Sequence, residues 1–127
     1  MTPAGAITEF GLPSGADPVY VVTGPDGNLW FTEASGGAIG RITPSGVSSF
    51  FKLSESGYLS AIAVGTDGAL WFTEFLSGAI GRITTSGQIS EFRIPNGGGS
   101  KPNGIVAGPD QAMWFAESGA DAIGRIT

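Results

Sequence analysis

Apolar and polar positions along this chain come in short, turn-bounded runs, and the same runs return three times. Leu29-Trp30-Phe31-Thr32-Glu33 recurs as Leu70-Trp71-Phe72-Thr73-Glu74 and as Met113-Trp114-Phe115-Ala116-Glu117. Each copy is followed by a second phrase, Ala38-Ile39-Gly40-Arg41-Ile42-Thr43, repeated from Ala79 to Thr84 and from Ala122 to Thr127. Thr2, Thr43 and Thr84 are spaced by 41, as are Phe10, Phe51 and Phe92. The tryptophans step by 41 and then 43, which places a two-residue insertion between Phe92 and Trp114. The run Asn96-Gly97-Gly98-Gly99-Ser100 is its natural location. No stretch holds a helical period over about 11 residues, so the pattern predicts an all-β chain.

Four strands fit in each repeat. The first covers Tyr20–Thr23, Ala61–Val64 and Gly104–Ala107, rich in small and β-branched residues. A turn follows at Gly24-Pro25-Asp26-Gly27, where Asp-Gly supplies the left-handed position that closes a hairpin. Gln111 stands in the Gly position of the third copy, which predicts a strained or different turn there. The second strand is the Leu-Trp-Phe-Thr-Glu run. Its alternation sends Leu29, Phe31 and Glu33 to one face and Trp30 and Thr32 to the other, as in a strand covered on both sides. The third is Ile39–Ile42. The fourth covers Ile7–Phe10, Ser48–Phe51 and Ile89–Phe92 and is more polar, as an outer strand should be.

Four antiparallel strands in about 41 residues make one blade of a β-propeller. The repeats run approximately over residues 2–42, 43–83 and 84–127. A blade buries its faces against two neighbours, and propellers typically hold about four to eight blades. Three blades therefore predict closure with other chains. Ile7–Phe10 is a fourth strand without the three that should precede it, and the last repeat has three strands without a fourth. The expectation is a latch: Ile7–Phe10 of one chain completes the last blade of another. Head-to-tail contact of this kind closes into rings. A homodimer of six blades is favoured, with a nine-bladed homotrimer as runner-up.

Charge and composition narrow the partners. Six Lys and Arg against eleven Asp and Glu leave a net charge of −5. Three of those cations, Arg41, Arg82 and Arg125, occupy one repeat position, so there is no basic face for nucleic acid. No apolar run approaches the roughly 18–20 residues of a membrane span. Met1-Thr2-Pro3-Ala4-Gly5 lacks the basic start and apolar stretch of a signal peptide and matches Thr43-Pro44-Ser45-Gly46, so no targeting segment is expected within this sequence. With no cysteine there is neither a disulfide framework nor thiolate chemistry. Localisation stays open.

Taken together, Gly24-Pro25-Asp26-Gly27-Asn28-Leu29-Trp30-Phe31-Thr32-Glu33, Gly78-Ala79-Ile80-Gly81-Arg82-Ile83-Thr84 and Ile89-Ser90-Glu91-Phe92 resemble the repeats of the virginiamycin B lyase (streptogramin lyase) family, over essentially the whole chain. More distantly they are similar to NHL-type propeller repeats. The resemblance implies a propeller of seven blades and a lyase that opens a cyclic depsipeptide antibiotic at its ester-type linkage. It also implies a magnesium ion and a catalytic histidine supported by glutamates. This chain has no histidine. Lys52, Lys101, Tyr20 and Tyr58 lie in no motif that marks a substitute base.

The remaining candidates carry a chemical and a structural reading. Glu33, Glu74 and Glu117 form a repeat-equivalent set of carboxylates suited to a hard cation such as Mg²⁺ or Ca²⁺. A residue present in every blade also serves every blade, and here that means pairing with Arg41, Arg82 and Arg125 across neighbouring strands. Trp30, Trp71 and Trp114 suit either a ligand cleft or an inter-blade packing layer, and recurrence favours packing. Asp26, Asp67 and Asp110 before the turn read as hairpin chemistry rather than metal loops. Gly97-Gly98-Gly99-Ser100-Lys101 lacks the spacing and the following helix of a phosphate loop, which leaves a flexible surface loop. The function expected is a self-assembling structural propeller module with no catalytic residue and no cofactor. The alternative is a streptogramin-lyase-like enzyme or ligand-binding propeller using the central channel, with Mg²⁺ in the enzymatic case.

Overall fold

The computed structural model describes residues 4–54 and 58–127. Pairing follows chain order. In the first sheet β1 (Pro18–Thr23), β2 (Leu29–Glu33), β3 (Ala38–Ile42) and β4 (Ser48–Lys52) are antiparallel neighbours. The second sheet repeats this with β5 (Leu59–Val64), β6 (Leu70–Glu74), β7 (Ala79–Ile83) and β8 (Ile89–Arg93). The third holds β9 (Pro102–Ala107), β10 (Met113–Glu117) and β11 (Ala122–Ile126). First strands run two residues earlier than the sequence predicts, each through a bulge, because the pairing continues across an irregular register near Pro18, Leu59 and Pro102.

The first hairpin of each blade closes on the expected turn. Gly24 donates to Asn28 O at 2.8 Å, Gly65 to Ala69 O at 2.9 Å and Gly108 to Ala112 O at 2.8 Å. The left-handed position is taken by Gly27 (φ 81°) and Gly68 (φ 80°), and by Gln111 at φ 69° in the third blade. The third turn therefore has the same shape with a side chain where glycine avoids steric cost.

Alternation along β2, β6 and β10 explains why blades stack. Phe31, Phe72 and Phe115 lie across Gly40, Gly81 and Gly124 of the next strand, where any side chain would meet the ring. On the opposite face Trp30 and Ile39 of the first blade join Leu59, Ile62, Leu70, Phe72 and Ile83 of the second in one core. Trp71 and Ile80 of the second join Met113 and Phe115 of the third in another. The tryptophans thus fill the layer between blades, with Trp30 fully buried and Trp71 nearly so. Thr32 Oγ1 donates to Ser60 O (2.8 Å) and Thr73 Oγ1 to Asn103 O (2.7 Å), tying each blade to the first strand of the next.

Within the single chain residues 4–17 form no strand, and Ile7 and Phe10 are exposed. A strand needs a partner edge, and the fourth-strand segment Ile7–Phe10 has no ladder within the single chain. The segment around Gly97–Gly99 is a defined 3-10 turn rather than a loose loop. Buried Ser100 holds it by donating Oγ to Gly97 O at 2.8 Å, and Gly119 N donates to Ser100 O at 3.0 Å, which fastens the insertion to the third blade.

Candidate functional site

The three candidate glutamates end β2, β6 and β10. Glu33 and Glu74 are buried and Glu117 is half-buried. Burial pushes the Glu33 carboxyl above the ordinary range, Lys52 opposes this, and Asp17 adds to it. Glu74 Oε1 accepts from Ser77 Oγ at 3.0 Å. Arg82 and Arg125 form their ion pairs with aspartates rather than with these glutamates. Antiparallel register sets Arg41, Arg82 and Arg125 opposite Trp30, Trp71 and Trp114, whereas Glu74 and Glu117 face Ala79 and Ala122.

Two of the three arginines instead reach the turn. Arg82 Nε binds Asp67 Oδ2 at 2.9 Å and Arg125 Nε binds Asp110 Oδ2 at 2.6 Å. The same aspartates accept from Trp71 Nε1 (3.2 Å) and Trp114 Nε1 (2.9 Å). In the first blade Asn28 Nδ2 occupies Asp26 at 3.0 Å, and Arg41 turns to Thr85 O of the second blade at 3.3 Å. All three aspartates are acidified. For Asp110 the hydrogen bond from Trp114 leads, followed by Arg125, and the carboxyl falls to about 2. Burial works against the shift at Asp67 and Asp26. It is outweighed by Arg82, Ala69 N–H and Trp71 at the first, and by Trp30 and Asn28 at the second. The turn aspartates are therefore hairpin residues that also orient the tryptophan and arginine side chains.

Among the described residues no set of three Asp or Glu side chains converges as metal ligands would.

A cavity of about 470 Å³ opens between the second and third blades, lined by Tyr58, Ser60, Phe75, Leu76 and Asn103. Tyr58 and Phe75 meet edge to face with ring centroids 6.3 Å apart. Ser60 Oγ donates to Asn103 Oδ1 at 2.6 Å, so an amide and a hydroxyl sit beside an aromatic wall. Sequence reasoning missed this group. The signal was a break in the repeat: Phe75-Leu76 stands where the other copies have Ala34-Ser35 and Ser118-Gly119. Bulky apolar residues replace small ones at one end of one blade only. Leu76 is 63% exposed. A second cavity of about 330 Å³ is lined by Ala16, Glu33, Phe50 and Lys52, among others. An apolar wall with a few polar groups is the ordinary make-up of a small-molecule site.

The family model described as the virginiamycin B lyase family matches residues 1–127. The chain belongs to the virginiamycin B lyase family. Among solved structures it is similar to the selenomethionine-substituted virginiamycin B lyase from Staphylococcus aureus, with 48% identity and a TM-score of 0.95. That match covers 99% of this chain and 43% of the lyase. It is similar also to a streptogramin B lyase structure, at 40% identity and a TM-score of 0.90, over 94% of this chain and 41% of that one. A third similar structure is a catalytically inactive histidine-to-alanine variant of the Staphylococcus aureus lyase with quinupristin. It is 46% identical, with a TM-score of 0.92, over 98% of this chain and 43% of that one. The chain thus spans less than half the length of these family members. The search of curated proteins gave no match. Among the described residues no helix is long and apolar enough to cross a membrane.

Proposed function

We propose that this 127-residue chain works as a non-catalytic structural module, three propeller blades that complete a ring by association with a second copy. One observation carries the reading: the faces at the two ends of the blade stack are open and apolar. Val21 of β1 is 58% exposed and Val106 of β9 is 61% exposed, whereas Ile62, equivalent to Val21, is buried between blades. Apolar faces and free strand edges of this kind drive association. Six blades lie within the common range for propellers, and a nine-bladed trimer is the competing closure. Sedimentation or light scattering tests this: twice the chain mass of 12.9 kDa is expected. A folded monomer would refute the reading, and three times the mass would move it to the trimer.

A second reading, in which the chain binds a streptogramin-type ring, is favoured by the cavity of Tyr58, Phe75 and Leu76 and by the quinupristin complex of the related lyase. Isothermal titration with quinupristin, run beside an assay for ring opening with and without Mg²⁺, tests binding and turnover. Saturable heat without opened product is expected, and chelator-sensitive turnover would overturn the non-catalytic assignment.

A further inference from the structure

The link from the second blade to the third carries the two inserted residues: Ile94 steps eight positions to Pro102, where Leu53 steps six to Leu59. Both links begin alike. Leu53 N donates to Gly37 O at 3.0 Å and Ile94 N to Gly78 O at 2.9 Å. The second link then folds into the 3-10 turn Gly97–Gly99, held by Gly97 N on Ile94 O (2.8 Å) and Ser100 N on Gly97 O (3.0 Å). This turn is wedged between two other loops. On one side lie residues 76–78, which join β6 to β7. A methyl group on Gly78 would strike Gly97 O, and one on Gly98 would come within 2.9 Å of Leu76 O. On the other side lies Gly119 of the loop between β10 and β11, where a methyl group would strike Gly99 O. Backbone rests on backbone at all three places, an approach that glycine permits because it has no Cβ.

The loop beneath the turn carries the wall of the cavity described above. Phe75 and Leu76 directly precede this contact, and Phe75 N donates to Tyr58 O at 2.7 Å on the far side of the wall. Leu76 is largely exposed, so its backbone seat rather than side-chain packing fixes where it stands. The lining residues Tyr58, Ser60, Phe75, Leu76 and Asn103 carry no charge, which leaves shape and hydrogen bonding to select an occupant. We infer that the Gly97–Gly99 turn is a strap that seats the wall of Phe75 and Leu76, and that it thereby sets which uncharged, partly aromatic ligand the cavity accepts. The inference rests on the binding reading above and names the segment that tunes it. Its anchors are Ser100 Oγ on Gly97 O (2.8 Å), Gly119 N on Ser100 O (3.0 Å) and Ser118 Oγ on Lys101 O (2.9 Å), so the wall of the second blade is held from the third.

The test makes one substitution at two neighbouring positions of the full-length chain. Gly98→Ala sets a methyl group against Leu76 O, whereas Gly99→Ala meets only Asn96, at an ordinary contact distance of 3.6 Å. Both remove similar freedom from the unfolded chain, so similar melting midpoints are expected. Gly98→Ala should shift the Leu76 methyl resonances in NMR spectra and weaken quinupristin binding about tenfold in titration calorimetry. Gly99→Ala should leave both unchanged. Ser100→Ala removes the bond to Gly97 O without adding bulk. It should broaden the Leu76 resonances, and it keeps the strap testable should Gly98→Ala not fold. Leu76 resonances unmoved in Gly98→Ala and Ser100→Ala, or equal losses of affinity in Gly98→Ala and Gly99→Ala, would overturn the strap. An unsubstituted chain that binds no quinupristin would overturn the binding reading alone, because the Leu76 resonances decide the strap without a ligand.

Discussion

The second and third blades share nearly the same sequence phrases but have different surroundings. Trp71, Phe72, Ile80 and Ile83 of the second are buried because blades lie on both sides. In the third, Met113 and Phe115 are buried against the second blade, while Val106, Ile123 and the half-buried Trp114 face outward. Identical local chemistry therefore yields a core residue or an exposed one according to what lies next to it. For repeat proteins this is the general case, since each unit draws stability from its neighbours.

The largest expected effect is at the covered tryptophan. Trp30→Ala should cost about 3–5 kcal/mol in a denaturant melt, the range for truncating a fully buried aromatic. The same change at Trp114, measured where the chain is monomeric, should cost clearly less. Equal losses would break the comparison between covered and open blades.

Packing against glycine gives the next effect. Gly81→Ala would push a methyl group into the Phe72 ring and should destabilise by about 1–3 kcal/mol. A shift in melting midpoint at the Gly81 variant, absent at an open glycine, is the readout. Gln111→Gly should raise stability by about 1 kcal/mol by removing a side chain from the left-handed turn position. No gain would mean that the Gln111 side chain offsets the backbone cost.

Acidity separates the ends of the blades. Asp110 is held at about 2, below its unfolded value, so its contribution is present above pH 4 or so and is lost as pH falls toward about 2. Glu33 is shifted the other way, so its contribution is present at low pH and lost as pH rises through its raised folded value. Carboxyl titration by NMR should place the two on opposite sides of the ordinary range, and Asp110→Asn should abolish the acid limb that belongs to that group. The smallest effect expected is at Gly104, which faces open space and is Ala61 in the second blade. Gly104→Ala should be neutral or stabilise by a few tenths of a kcal/mol in a melt.

The blade was legible in the chain because a period of about 41 residues, alternation along Leu-Trp-Phe-Thr-Glu and the Asp-Gly turns are local features. The fourth strands at Ser48–Lys52 and Ile89–Arg93 were legible for the same reason. The partners of the charged residues were not. Cross-strand register, set by the whole ladder, placed each arginine beside tryptophan and left the turn aspartate rather than the glutamate within reach at Arg82 and Arg125. The cavity of Tyr58, Phe75 and Leu76 escaped as well, since it joins two blades through residues that depart from the repeat.

What the sequence determined by itself is the unit: all-β, four strands to a blade, tryptophan on the face toward the next blade, and membership of the lyase family's repeat pattern. Those properties follow from side-chain alternation and turn chemistry, which act over a few residues. Only the tertiary structure decided which copy of a repeated residue is buried, which acid an arginine meets, and where an aromatic wall faces an amide across two blades. These depend on contacts between residues about 40 positions apart, and a repeat presents the same local pattern whether or not a neighbour is there to cover it.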